Sequence, residues 1–101
     1  MPTPQHMLAL DRANGIRLAR AELKRQLARG DVKVWDVISD PPEEAYKAQV
    51  QEMLGAVHRV GKGRVRKMCG RAGVNPVAEL GQLTVRQKMS LVHVTKECLH
   101  G

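Results

Sequence analysis

The stretch VHRVGKGRVRKMCGRAGV, residues 57–74, decides how this chain is read. It opens on a tight turn, Val60-Gly61-Lys62-Gly63-Arg64, that delivers the chain into a helix whose Val65, Met68, Cys69 and Ala72 share one face at spacings of three and four. Gly73 closes the helix. Val74 behind it is placed for the hydrophobic contact of a Schellman-type cap. The stretch also holds Arg59, Lys62, Arg64, Arg66, Lys67 and Arg71, and no acidic residue. Free N–H groups and the dipole at a helix N-terminus favour an anion, and glycine lets a phosphate approach the backbone. Gly61 and Gly63 also fit a tight turn between two packed helices and nothing more. The six acid-free cations around them favour the anion site.

Working outward, residues from about Arg12 to Arg29 place Ile16, Ala19, Leu23 and Leu27 on one stripe, and Gly30 supplies the stop. Arg17, Arg20 and Lys24 share another face, with Arg25 and Arg29 alongside. That face is either ordinary solvated surface or a flanking contact. Val34, Val37 and Ile38 predict a short buried helix, with Trp35 as its aromatic anchor. Asp40-Pro41-Pro42 followed by Glu43 reads as a capping box that starts a third helix, carrying Tyr46, Val50, Met53, Leu54 and Val57 to about Val57. Beyond the central stretch, Asn75-Pro76 opens an irregular connection. Thr84 with Gln87 reads as the capping box of a last helix to about Leu99, with Val85, Met89, Val92 and Leu99 as its main apolar positions. The pattern predicts an all-α, compact bundle of about five helices, a single domain over 12–99 behind a flexible 1–11.

With 101 residues the chain suits one domain, and having no Phe, one Trp and one Tyr it must build an aliphatic core. Seventeen Lys and Arg against ten Asp and Glu give a formal charge of +7, which favours an anionic partner such as nucleic acid. The charge is uneven: residues 1–50 carry eight basic and seven acidic side chains, residues 51–101 nine and three. No apolar run reaches membrane-spanning length, and the start MPTPQHMLALDRANG shows no export signal, so a cytoplasmic protein is expected. Cys69 and Cys98 fit reduced core thiols. His6, His58, His93 and His100 are too scattered for a metal site, and Glu43 and Glu44 are explained by a helix dipole. Neither catalysis nor a cofactor is expected.

Three segments, IRLARAELKRQLARGDVKVWDVI, VHRVGKGRVRKMCGRAGV and LGQLTVRQKMSLV, together resemble the actinobacterial integration host factor family over roughly Ile16 to Val92. The elements that carry the resemblance are Arg20-Ala21-Glu22-Leu23-Lys24, Val60-Gly61-Lys62 followed by Arg64, Arg71 before Gly73, and Arg86-Gln87. The resemblance implies a helix-two-turns-helix motif like that of a bacterial ribosomal small-subunit protein and of formamidopyrimidine-type DNA glycosylases. It implies a nucleoid-associated protein that binds and shapes duplex DNA and assists site-specific integration. The chain begins Met1-Pro2, and a processed proline is the nucleophile of those glycosylases. The second catalytic domain and zinc site that they need have no counterpart here.

Two departures stand out. The family's Leu-Pro-Gly before the Val-Gly-Lys turn is here Val57-His58-Arg59, and its arginine-rich stretch before the last helix is Val77-Ala78-Glu79-Leu80-Gly81. Such divergence fits a phage-encoded member. The expectation is therefore a monomeric, architectural protein that grips duplex DNA by its phosphates through Arg59, Gly61, Lys62, Gly63, Arg64, Arg66, Lys67 and Arg71. Arg17, Arg20 and Lys24 would add a flanking contact and so a bend. The alternative is a protein-interaction module that mimics or antagonises a host nucleoid protein, or binds a site-specific integrase. Structured RNA is a third reading, but without interleaved aromatics there is no stacking platform for single strands.

Overall fold

Among the described residues, aliphatic side chains at helical spacing build five α-helices around one core. The computed structural model describes the backbone of residues 4–99 and the side chains of residues 14–99. In order these are α1 (Pro4–Arg29), α2 (Val34–Ser39), a 3-10 turn (Glu43–Ala45), α3 (Val50–Ala56), α4 (Lys62–Ala72), a second 3-10 turn (Leu80–Gln82) and α5 (Val85–Leu99). The described residues contain no strand, only an isolated antiparallel bridge between Gln49 and Glu79. The all-α prediction therefore holds. α1 lies on α3 and the first 3-10 turn, α3 on α4, α4 on α5, and α5 on α2. Leu27, Ile38, Met53, Leu54, Met68, Leu80 and Leu91 fill the centre. Thr95, also buried, satisfies its hydroxyl by donating to the Val92 carbonyl at 3.0 Å.

Several local signals form as read. Gly30 and Gly73 both take positive φ, 81° and 70°, and end α1 and α4 in the double hydrogen-bond pattern of a Schellman cap. Asp31 N–H donates to Gln26 O at 3.0 Å, and Val74 N–H to Cys69 O at 3.0 Å. Val74 is buried, as its place in the cap requires. The box at α5 is reciprocal: Thr84 N–H donates to Gln87 Oε1 at 2.9 Å, and Gln87 N–H to Thr84 Oγ1 at 3.1 Å.

Three expectations are corrected. First, α1 begins at Pro4 rather than near Arg12, so its backbone is helical through 4–11; residues 1–3 lie outside the described residues. Pro4 suits a first helical position, and Gln5, Met7, Leu8, Ala9 and Leu10 are good helix formers. Second, no helix runs from Asp40 to Val57. Asp40 ends α2 instead, and Glu43–Ala45 is a 3-10 turn without a side-chain cap. The backbone from 46 to 51 is bonded to residues 76–81: Gly81 N–H donates to Tyr46 O (2.8 Å), Leu80 N–H to Ala48 O (3.0 Å), Val50 N–H to Ala78 O and Gln51 N–H to Pro76 O (both 2.9 Å). These bonds take the place of intrahelical ones. Ala45 and Ala48, fully buried, let the two segments approach, and the Tyr46 ring lies against Gly81 where no side chain would fit.

Third, α5 faces inward with Leu91, Val94 and Thr95, while Val85 and Met89 are 74% and 68% exposed and Val92 and Leu99 half-buried. Val85, Met89 and Val92 form an apolar stripe of their own at offsets of four and three, but α2 and α4 contact the helix along another line.

Candidate nucleic-acid interface

α3 and α4 are joined by two consecutive tight turns. Val57 N–H donates to Leu54 O and Val60 N–H to Val57 O, each at 3.2 Å, which forms the helix-two-turns-helix connection. Val60 is buried and anchors the loop, so the residues on either side of it are forced outward. Gly61 then caps α4 with an extended backbone, φ −86° and ψ 171°, and no side chain bonds to the first N–H groups of the helix. The first turn holds no acidic residue. A groove of about 730 Å³ opens here, bounded by Gly61, Lys62 and Arg66 on one wall and by Gln51, Glu52 and Gly55 of α3 on the other.

α4 buries Val65, Met68, Cys69 and Ala72 and exposes Lys62, Gly63, Arg64, Arg66, Lys67, Gly70 and Arg71. Burial pushes the Cys69 thiol above its ordinary value, so it packs as a neutral apolar group. Gly63 sits on the outermost ridge with nothing near the position of a Cβ. Nothing inside the protein requires glycine there, although glycine costs an exposed helix about 1 kcal/mol relative to alanine.

The cations divide into two groups. Lys62 and Arg66 border the groove. Arg64, Lys67 and Arg71 border a second cleft of about 320 Å³ with Met68 and Cys98. In that cleft Arg64 Nη2 donates to the Cys98 carbonyl at 3.0 Å. Arg71 donates from Nη2 to Glu97 Oε1 at 3.1 Å and from Nη1 to Cys98 Sγ at 3.2 Å. The hydrogen bond and charge of Glu97 raise the guanidinium of Arg71 further above its ordinary value. The three thus share a face, as read, but two of them also hold the end of α5. The sequence carried no sign of this contact, which spans 26 to 34 positions.

The basic face of α1 is largely occupied. Arg20 Nε donates to the Glu44 carbonyl at 2.9 Å, and Lys24 Nζ pairs with Glu52 Oε1 at 2.5 Å. Lys24 thereby cancels the one acidic side chain on the groove wall. Arg25 and Arg29 pair with Glu22, and Arg29 with Asp31. Hydrogen bonding from Arg25 holds the Glu22 carboxyl below its usual value. Arg17 is exposed and makes no ion pair among the described residues. Gln49 and Gln51, joined at 2.7 Å, also edge the groove, and being neutral they gave no signal in the sequence.

Arg59, where the family pattern has glycine, takes φ +67°, the one non-glycine with positive φ among the described residues. A left-handed conformation costs an L-residue about 1–2 kcal/mol, part of which glycine returns as chain entropy in the unfolded state. Arg59→Gly is expected to raise stability by about 0.5–1 kcal/mol in denaturant titration. If Arg59 also neutralises a phosphate, the same variant loses about eight-fold in duplex affinity at 0.1 M salt. A variant that is less stable than its parent would mean that the turn is not strained.

Among the described residues no cluster of His, Cys, Asp and Glu could hold a metal ion, and no helix is long and apolar enough to cross a membrane. No family model matches the chain. The integration host factors of Mycobacterium tuberculosis (strain ATCC 25618 / H37Rv) and Mycolicibacterium smegmatis (strain ATCC 700084 / mc(2)155) are each 32% identical to it over 90 residues, covering 87% of this chain and 86% of theirs. A solved structure of sIHF bound to an 8bp palindromic DNA is similar at a TM-score of 0.71 and 26% identity, over 82% of this chain and 96% of that one. The chain therefore belongs to the actinobacterial integration host factor family.

Proposed function

We propose that the protein is a non-enzymatic, architectural DNA-binding protein that holds duplex DNA as a monomer, through its phosphates and with little preference for sequence. One observation carries the reading. The uncapped N-terminus of α4 opens onto a groove beside Lys62 and Arg66, on a helix whose whole exposed side is basic or glycine. The DNA-bound relative of the same fold supports it. Gly61 and Gly63 let a phosphate reach the free N–H groups, and Arg59, Lys62 and Arg66 supply charge around it, with Arg64, Lys67 and Arg71 along the second cleft. Phosphate contacts position a protein without specifying bases. Bending and assistance to site-specific integration are what the family suggests for this chain. A bend requires a second contact, for which Arg17 is the cation on this face without an ion pair among the described residues, while Arg20 and Lys24 would exchange the partners they hold.

The test is duplex affinity measured over a range of salt. Three to six neutralised phosphates give a slope of log affinity against log salt of about −3 to −5, with similar values for unrelated sequences. The alternative reading, a module that binds a host nucleoid protein or an integrase, is favoured by the adjacent exposed Val85 and Met89 on α5. Absence of duplex binding at low salt would transfer the assignment to that reading.

A further inference from the structure

Beside the second cleft, between α4 and the end of α5, Arg64 and Arg71 are already held by acceptors from within the protein. Arg71 presents two donors, one to a carboxylate oxygen of Glu97 and one to the sulfur of Cys98, and Arg64 donates to the Cys98 carbonyl. A phosphate would present the same kind of acceptors to the same fork of N–H groups, with more charge. Lys67, on the same cleft, makes no ion pair among the described residues and remains to draw such a group in.

We propose that Glu97 stands in the place of a DNA phosphate at the Arg64–Lys67–Arg71 cleft, so that the last turn of α5 is an autoinhibitory contact which DNA displaces. This rests on the DNA-binding reading and adds a regulating group to it. The side chains of Arg71 and Glu97 are 47% and 53% exposed, and so the pair lies in water, where ion pairs are weak and exchangeable. Glu97 has somewhere to go. His93, one turn back on α5, lies 3.5 Å from its other carboxylate oxygen and attracts it whenever the imidazole is protonated. Arg64 differs from Arg71, because the carbonyl it caps belongs to the helix end, where a cation is favoured by the dipole. The exchange is therefore centred on Arg71, and the α4 groove with Lys62 and Arg66 remains the primary contact.

The experiment measures affinity for a short random duplex at 0.15 M salt with the parent, Glu97→Gln, Asp36→Asn, Arg71→Ala and the double variant Arg71→Ala/Glu97→Gln, each checked for helicity. Glu97→Gln is expected to bind about two- to five-fold tighter, the range that an exposed ion pair is worth. Asp36→Asn removes the same charge from an exposed position of α2, outside both clefts, and under this screening is expected to change affinity by less than about 1.5-fold. In the Arg71→Ala background the gain from Glu97→Gln should vanish. A gain no larger than that of Asp36→Asn, or one that persists without Arg71, overturns the displacement while leaving DNA binding intact. A parent that fails to bind duplex at any salt overturns both.

Discussion

Alanine at Lys62, Arg66 and Lys67 together should lower duplex affinity by about 10² to 10³-fold at 0.1 M salt and make the salt slope shallower by about 2.7. The magnitude follows from counterion release: each phosphate left unneutralised removes about 0.9 from the slope, and at 0.1 M salt that is close to one decade in affinity. The fold should be unaffected. All three side chains are exposed, none is in an ion pair among the described residues, and the apolar face of α4 is untouched. Alanine is also a better helix former than lysine or arginine.

The companion variant, Arg17, Arg20 and Lys24 to alanine, removes equal charge and should weaken binding far less. It should cost stability instead, because Arg20 holds the Glu44 carbonyl and Lys24 holds Glu52. Equal losses of affinity in the two triple variants would reduce the interface to general charge attraction. A larger loss from α1 would move the primary contact there.

Leu91→Ala should be among the most damaging single changes in the protein, and Met89→Ala, two residues away, nearly silent. Leu91 is fully buried where α5 meets α2 and α4, so truncation is expected to cost about 2–5 kcal/mol. At about 4–8 °C of melting temperature per kcal/mol for a domain near this size, that is a fall of about 10 °C or more. Met89 is 68% exposed and should remain within about 0.5 kcal/mol of the parent. Thermal melts of the two variants decide the matter. The reverse order would restore the Val85–Met89–Val92 stripe as the buried face.

That stripe marks where reading the sequence runs out. Where the signal was local chemistry, the structure followed it: Gly30 and Gly73 in left-handed caps, Thr84 with Gln87 in a reciprocal box, and the apolar faces of α2 and α4. Where two apolar stripes competed on one helix, periodicity had no means of choosing, since the choice is made by the helices that pack against it. The segment 41–57 failed for a related reason. Its carbonyls and N–H groups are satisfied by residues about thirty positions later, a partnership that no capping rule contains. The basic patch was legible as charge. Its division into a free half and a half tied to Glu97 and Cys98 was not, because the tie depends on where α5 ends.

The crossing of residues 46–51 with 76–81 also bears on the order in which this chain folds. Most helical contacts in a protein of this length are local and form early, but the four hydrogen bonds of the crossing close a loop of roughly thirty residues, at an entropic cost of about 3 kcal/mol. They bring the start of α3 and the connection after α4 side by side. The whole basic turn from Arg59 to Arg71 lies inside that loop. The crossing therefore ties down both ends of the segment that carries the basic turn.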